Sequence, residues 1–211
     1  MPKKKKKKIT PQKYIIAGMT YFFLFAGAGV TEKIGGGDSD NICGGKERWP
    51  QKVLGDAAAL SLDEAPTDTT IEGLNTINTT LKDTKYKHDG PRMGIESKIY
   101  RLKNIYITDV LREDDNDLHL VIEDGHKHTM IAEIPDPECS AAKNSPWGDN
   151  FREARKTLEQ NAGSYRHYLF TITGPLFVDR FHNQTGSAPN NTEIHPIISI
   201  KRGKHINPIA Q

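Results

Sequence analysis

From Ile99 to Val110 the chain reads Ile-Tyr-Arg-Leu-Lys-Asn-Ile-Tyr-Ile-Thr-Asp-Val. This β-branched and aromatic run is about twice as long as an ordinary strand. Its alternation changes phase around Asn104, which predicts a curved strand with a bulge, or one strand shared between two sheets. Asp114-Asp115-Asn116-Asp117 reads as a turn and Leu118–Glu123 as a second strand. Asp124-Gly125 is a hairpin signal, and Thr129–Ile134 is a third strand stopped by Pro135 and Pro137. One helix follows, with Asn150 and Glu153 as a capping box, Phe151, Ala154, Arg155 and Leu158 on one face, and Gly163 at its end. Tyr168–Thr173 is a fourth strand, 183–191 a long Gly/Asn/Pro loop, and Glu193–Ile200 a fifth strand with Pro196 suited to an edge or unpaired position. The fold class expected is mainly β: a five-stranded OB-like barrel with one helix between strands three and four.

The opening of the chain bears on compartment rather than fold. Lys3 to Lys8 and Lys13 precede an apolar run from Tyr14 to Phe25, then Ala26-Gly27-Ala28. A basic head, an apolar core and a small-residue exit make up a secretory signal peptide. Residues 1–28 are therefore read as a signal, with a retained N-terminal membrane anchor as the alternative, since about 20 apolar residues are needed to span. The protein is expected to be extracellular or in the cell envelope. Residues 29–46, with Gly35-Gly36-Gly37 and Gly44-Gly45, read as a flexible linker, 47–205 as one OB-like domain and 206–211 as a tail. Trp49 to Tyr86 reads as an extended, polar lead-in packed against the domain.

Of the 29 Lys and Arg, seven lie in residues 1–28, which hold no acid. The remaining 22 face 27 Asp and Glu, so the portion after the leader carries a formal charge of −5 rather than +2. Such a protein lacks the positive field behind non-specific nucleic-acid affinity, and nucleic acid is not an expected partner. The local basic run Lys201-Arg202-Gly203-Lys204-His205 reads as a solvated end to the last strand. The glycines of the linker are not followed by Lys-Ser/Thr, which excludes a phosphate-binding loop. No Gly-x-Ser-x-Gly occurs, which speaks against a serine hydrolase. In an oxidising compartment the two cysteines, Cys43 and Cys139, are expected to form one disulfide.

Three segments carry candidate chemistry: Asp117-Leu118-His119 running on to Asp124, Met130-Ile131-Ala132-Glu133-Ile134-Pro135, and Phe177-Val178-Asp179-Arg180-Phe181-His182 with Glu193-Ile194-His195-Pro196. Together with a Cys ahead of Glu47-Arg48-Trp49-Pro50, these resemble the motifs of an uncharacterised family of exported bacterial-type proteins. The resemblance covers about Cys43 to Ile200. It implies an exported domain with both cysteines at matching positions, and transfers no activity.

His119, Glu133, Asp179, His182, Glu193 and His195 are the residue types that bind zinc or run acid–base chemistry. His182, Glu193 and His195 are the metal candidates, and zinc is the one cofactor considered. A hairpin turning at Asp124-Gly125, however, would pair odd with even positions and point His119 and Glu133 to opposite faces unless a bulge intervened. The preferred reading makes these side chains a structural network, with no catalytic residue assigned. An exported nuclease of the staphylococcal kind is suggested only by Asp136-Pro137-Glu138; the flanking Arg and Gly are missing. The reading leans to a non-enzyme: a binding or structural module for an undefined ligand or protein partner, with a metal-dependent hydrolase as the alternative. Tyr100, Tyr106, Trp147, Phe177 and Phe181 could supply a stacking surface, and Asn183-Gln184-Thr185-Gly186 with Asn190-Asn191 a polar binding loop. Asn78, Asn183 and Asn190 head glycosylation sequons.

Overall fold

A computed structural model describes residues 7–8, 43–44, 47–77, 90–180 and 184–207. The elements in chain order are β1 (Lys7–Lys8), α1 (Trp49–Lys52), β2 (Asp63–Thr69), α2 (Ile71–Asn75), β3 (Lys98–Arg112), β4 (Leu118–Glu123) and β5 (Thr129–Ile134). They continue with α3 (Ser140–Lys143), α4 (Gly148–Gln160), β6 (Tyr168–Val178), β7 (Thr192–Ile194) and β8 (Ser199–His205). The sheet runs β3-β4-β5-β7-β6, and β6 returns to β3, so five strands close into a barrel. β5 and β7 are parallel and the other neighbours in the ring antiparallel. With α4 between the third and fourth strands of the ring, this is the OB-type arrangement expected.

The long first strand closes the ring because it bends. Leu102 and Ile105 of β3 pair with Ile172 and Phe170 of β6, with a register shift between them, and Asn104 within the shift has φ 57°. Asparagine tolerates that left-handed conformation better than a β-branched residue would. N-terminal to the bulge β3 lies between β2 and β6; C-terminal to it, β3 pairs with β4 and β1. The barrel interior holds Leu102, Ile105, Ile107, Leu120, Ile122, Met130, Ala132, Ile172, Leu176 and Ile194, all essentially inaccessible. α4 covers one end, with Phe151, Ala154 and Leu158 joined to the same core. Its Arg155 donates to the carbonyls of Pro135, Ile134 and Asn116.

Several expectations are corrected. The helix begins at Gly148, and its N-cap Trp147 makes no side-chain cap hydrogen bond. Asn150 is inside the helix and donates to the Ile198 carbonyl instead of forming a capping box. The lead-in is not wholly extended, since it contains α1, α2 and a 3-10 turn at Ala57–Ser61. The fourth strand continues to Val178. The fifth strand is two pieces, β7 and β8, laid end to end along one edge of β6. The break falls at Pro196, which follows a cis peptide bond.

Gly174 sits where β6 passes this break. A Cβ there would lie 2.3 Å from the Pro196 carbonyl oxygen and 2.7 Å from Ile194 Cγ2. Gly174→Ala is expected to destabilise the fold by about 1–3 kcal/mol, as overpacking does, read as a lower urea midpoint at unchanged slope. An unchanged midpoint would mean that the backbone yields at the break.

Cys43 and Cys139 form the expected disulfide, with a Cα–Cα distance of 5.4 Å and 96 residues of separation. It ties the segment ahead of α1 to the end of the β5–α3 connection. A disulfide of this kind accords with an extracellular protein. Among the described residues no helix is long and apolar enough to cross a membrane. Residues 1–28, read above as a signal, lie outside the described residues apart from Lys7 and Lys8, as does most of 29–46, read above as a linker.

Candidate functional site

The decisive local feature is the turn between β4 and β5. Asp124 Oδ1 accepts the amides of His126 and His128, and Asp124 Oδ2 lies 2.8 Å from His128 Nδ1. Lys127 takes φ 66°. This makes the loop five residues long, with Glu123 pairing Thr129, so odd positions pair with odd positions. The two-residue hairpin expected at Asp124-Gly125 does not form. His119 therefore stands directly opposite Glu133 on the same face, and no bulge is needed.

Even-numbered residues of β4 and β5 fill the barrel interior. Odd-numbered ones form its outer wall: His119 beside Leu111 and Glu133, Val121 beside Ile131, Ile131 beside Glu193, and Glu193 beside Phe177. This wall is nevertheless buried. His119, Glu133, Glu193 and His195 are 1%, 5%, 2% and 0% exposed. Two segments cover it. The loop after β6 lies on Val121, where a Cβ on Gly186 would come within 2.6 Å of Val121 Cγ1. α1 lies over Phe177, with Arg48 at its N-cap 4.7 Å and Lys52 Nζ 5.0 Å from the ring centroid. The Arg48 guanidinium is locked to buried Glu96, which also accepts the amides of Val178 and Met93.

Glu133 is the hub. Its Oε1 lies 2.8 Å from His119 Nδ1, and its Oε2 lies 3.0 Å from His195 Nδ1. His119 Nδ1 is also 3.1 Å from Glu113 Oε1, and His195 Nδ1 is 3.0 Å from Glu193 Oε1. Asp117 Oδ1 accepts the amide of Asp136. Its Oδ2 is 3.7 Å from His195 Nε2, and neither of these buried atoms has a hydrogen-bond partner.

Charge separates these groups. Burial works against ionisation of Glu133, but hydrogen bonds from His119 and His195 pull its carboxyl well below the usual range. Burial, with Asp179 and Glu133 nearby, pushes Glu193 up to about 7. Burial and then Asp115 raise Asp117 well above the ordinary value. Burial alone would lower His195; its hydrogen bonds to Glu133 and Glu193 overcome that and raise it to about 10. Burial would also lower Lys52, and the carboxylates of Glu193, Glu133, Asp179 and Asp117 outweigh it and raise the amine.

His195 contributes stability that is complete below its ordinary 6.5 and lost as pH rises toward about 10. Glu193 acts in the same direction between 4.5 and about 7, because the fold favours its protonated form. With chelator present, the melting temperature is expected to fall steadily from pH 6.5 to 10, and His195→Gln to flatten that limb. A profile that rises toward alkaline pH in the native chain would contradict the arrangement.

Of the sequence candidates, His119, Glu133, Glu193 and His195 meet in one cluster. Asp179 stands at its edge, after β6, and half-buried. His182 lies outside the described residues, as do Phe181 and the sequon asparagines 78 and 183. Phe177 is not a surface platform: it is fully buried under Arg48 and Lys52. Tyr100, Tyr106 and Trp147 are half-buried. Asp117, Glu113, Lys52 and Arg48 join the cluster without having been expected there. Asp117 headed the first candidate segment but read as part of an acidic turn and not as a site residue; the Cys43–Cys139 link was a signal that could have brought residues 48–52 near β5. The sets able to hold a metal by proximity, among the described residues, are Glu113/His119/Glu133 and Asp117/Glu133/His195.

A shallow recess opens beside this wall. It is lined by Ile131, Asp179, Gln184, Asn191, Thr192 and Glu193 among others. No protein-family model, no curated protein and no solved structure matches this chain.

Proposed function

We propose that this chain is an exported binding module that recognises a cationic group, and that it belongs with the exported bacterial-type proteins its motifs resemble. The observation that carries the reading is Lys52, whose Nζ lies 5.0 Å from the ring of Phe177, the β6 residue paired with Glu193, and whose charge the carboxylates of Glu193, Glu133, Asp179 and Asp117 favour. OB-type barrels use the outer wall, with the loops after the first and fourth ring strands, to bind ligands. Here the loop after β6 and α1 lie over it, so Lys52 stands where a ligand's amine would. The absence of a positive overall field in residues 29–211 also suits a basic partner better than a polyanion.

Hexalysine is the probe, with hexaglutamate and a neutral chitin oligosaccharide as controls. Lys52→Ala is expected to bind hexalysine more tightly than the native chain, and Lys52→Ala/Glu193→Gln to lose that gain. Failure of both native and Lys52→Ala protein to bind hexalysine overturns the reading.

A second reading, a hydrolase, is favoured by one observation: Glu133 and Glu193 flank His195 with their carboxyl groups pushed in opposite directions, as acid–base pairs require. Turnover of nitrophenyl esters or glycosides that disappears in Glu193→Gln would put this reading ahead of the first.

A further inference from the structure

Two atoms on the outer wall have no hydrogen-bond partner although both are sealed from water. His195 is 0% and Asp117 1% exposed, and His195 Nε2 and Asp117 Oδ2 make no hydrogen bond. They face one another across 3.7 Å, too far for a hydrogen bond. Buried polar groups are seldom left in this state without an ion or water between them.

We propose that Asp117, His195 and Glu133 form a site for a zinc-like divalent cation, seated between His195 Nε2 and Asp117 Oδ2. The inference goes beyond the binding reading and does not depend on it. Two metal bonds of about 2.0–2.2 Å, to imidazole nitrogen and carboxylate oxygen, are together long enough to bridge the 3.7 Å between them. The far side of each ligand is already fixed. His195 Nδ1 is hydrogen-bonded to Glu193 Oε1 at 3.0 Å, the carboxylate–histidine–metal arrangement that orients a ligating ring. Asp117 Oδ1 accepts the Asp136 amide, which aims Oδ2 at the gap. Glu133 is the third ligand: the ligand atoms of all three residues lie within 4.8 Å of one another. A nitrogen with two carboxylates is a donor set suited to zinc and its first-row neighbours rather than to a soft thiophilic ion. Glu193 thus orients the ring, and the metal site draws on Asp117 where the spacing of the sequence pointed to His182 and Glu193.

The test uses the full chain, stripped with chelator and titrated with zinc chloride alone. The expected result is one tightly bound zinc per chain, a raised melting temperature, and affinity at least about 100-fold weaker in Asp117→Asn and in His195→Gln. Cobalt absorption gives a second readout, expected as visible bands that vanish in both variants. Because either variant could lose its fold, circular dichroism of each is compared first. If His195→Gln does not fold, Asp117→Asn carries the decision. His126, His128, His167 and His205 lie outside the cluster, so a His126→Ala/His128→Ala chain is expected to keep full zinc affinity. Absence of stoichiometric zinc, or zinc held equally by native protein and Asp117→Asn, overturns the proposal and leaves a bare His195–Asp117 ion pair.

Discussion

Glu133→Ala is expected to lower the unfolding free energy by about 3–5 kcal/mol, the range for removing one partner from a buried ionic network. The carboxylate is 5% exposed and satisfies His119 through one oxygen and His195 through the other. Truncation takes from two imidazoles the carboxylate they share, inside a wall that water does not reach, and the desolvation it no longer offsets is what costs stability. Glu113 still faces His119 and Glu193 still faces His195, which keeps the loss from being larger. Glu133→Gln should fall between the two, since its amide oxygen can accept from only one of the rings. Urea unfolding measures the effect, and a loss below about 1 kcal/mol would mean that the cluster behaves as an open, solvated patch. A double-mutant cycle with His119→Ala separates the two arms, because residues sharing one network couple where distant ones add.

How this site could be read from sequence depends on one loop. The alternation of Leu118–Glu123 and Thr129–Ile134, each bounded by turn residues, located β4 and β5 to the residue. The phase change at Asn104 located the bulge that lets β3 serve both halves of the barrel. Yet the strands themselves do not state their relative register. Asp124-Gly125 is a strong local hairpin signal, and it loses to an Asp124 side chain that gathers the His126 and His128 amides and widens the turn to five residues. One residue of slip exchanges the two faces of a strand, so His119 and Glu133 changed from strangers to partners on that point alone. Arg48 and Lys52 were illegible for a different reason. α1 is a single turn whose place is set by tertiary contacts, the Glu96 pair and the disulfide, and a four-residue helix leaves no periodicity to detect.

The split fifth strand has the same origin. Glu193-x-His195 was legible as one face of a strand, and the two side chains do meet. What alternation could not show is that the chain leaves the sheet at Pro196, which has no amide to donate, and resumes at Ser199. The break frees His195 to turn toward Asp117 as well as toward Glu193. The catalytic-looking residues are thus assembled by a register, a break and a strap, none of which is a property of a short motif.

Reducing the Cys43–Cys139 bridge, or replacing both cysteines with alanine, is expected to have the other large effect. The bridge closes a loop across 96 residues of sequence, and in the chain-entropy account such a crosslink stabilises by about 4–5 kcal/mol through restriction of the unfolded chain. At roughly 2–4 °C per kcal/mol for a domain of this size, the melting temperature should fall by about 8–20 °C. The loss should not be uniform. The bridge tethers the segment entering α1, and α1 brings Arg48 and Lys52 onto Phe177. Without the tether, the strap is held by the Arg48–Glu96 pair, by hydrogen bonds from Gln51 to the Gly90 carbonyl and from Arg92 to the Gln51 carbonyl, and by local packing. Hydrogen exchange of residues 47–54 is therefore expected to quicken under reductant at concentrations that leave β4 and β5 protected. Lys52 should become open to acetylation in the same window. If exchange instead rises together across α1, β4 and β5, the strap is part of the cooperative core, and uncovering the wall requires unfolding the barrel. If α1 opens first, the polar wall with Glu193 at its edge is exposed on an intact fold, and hexalysine affinity should rise in step with the reduced fraction.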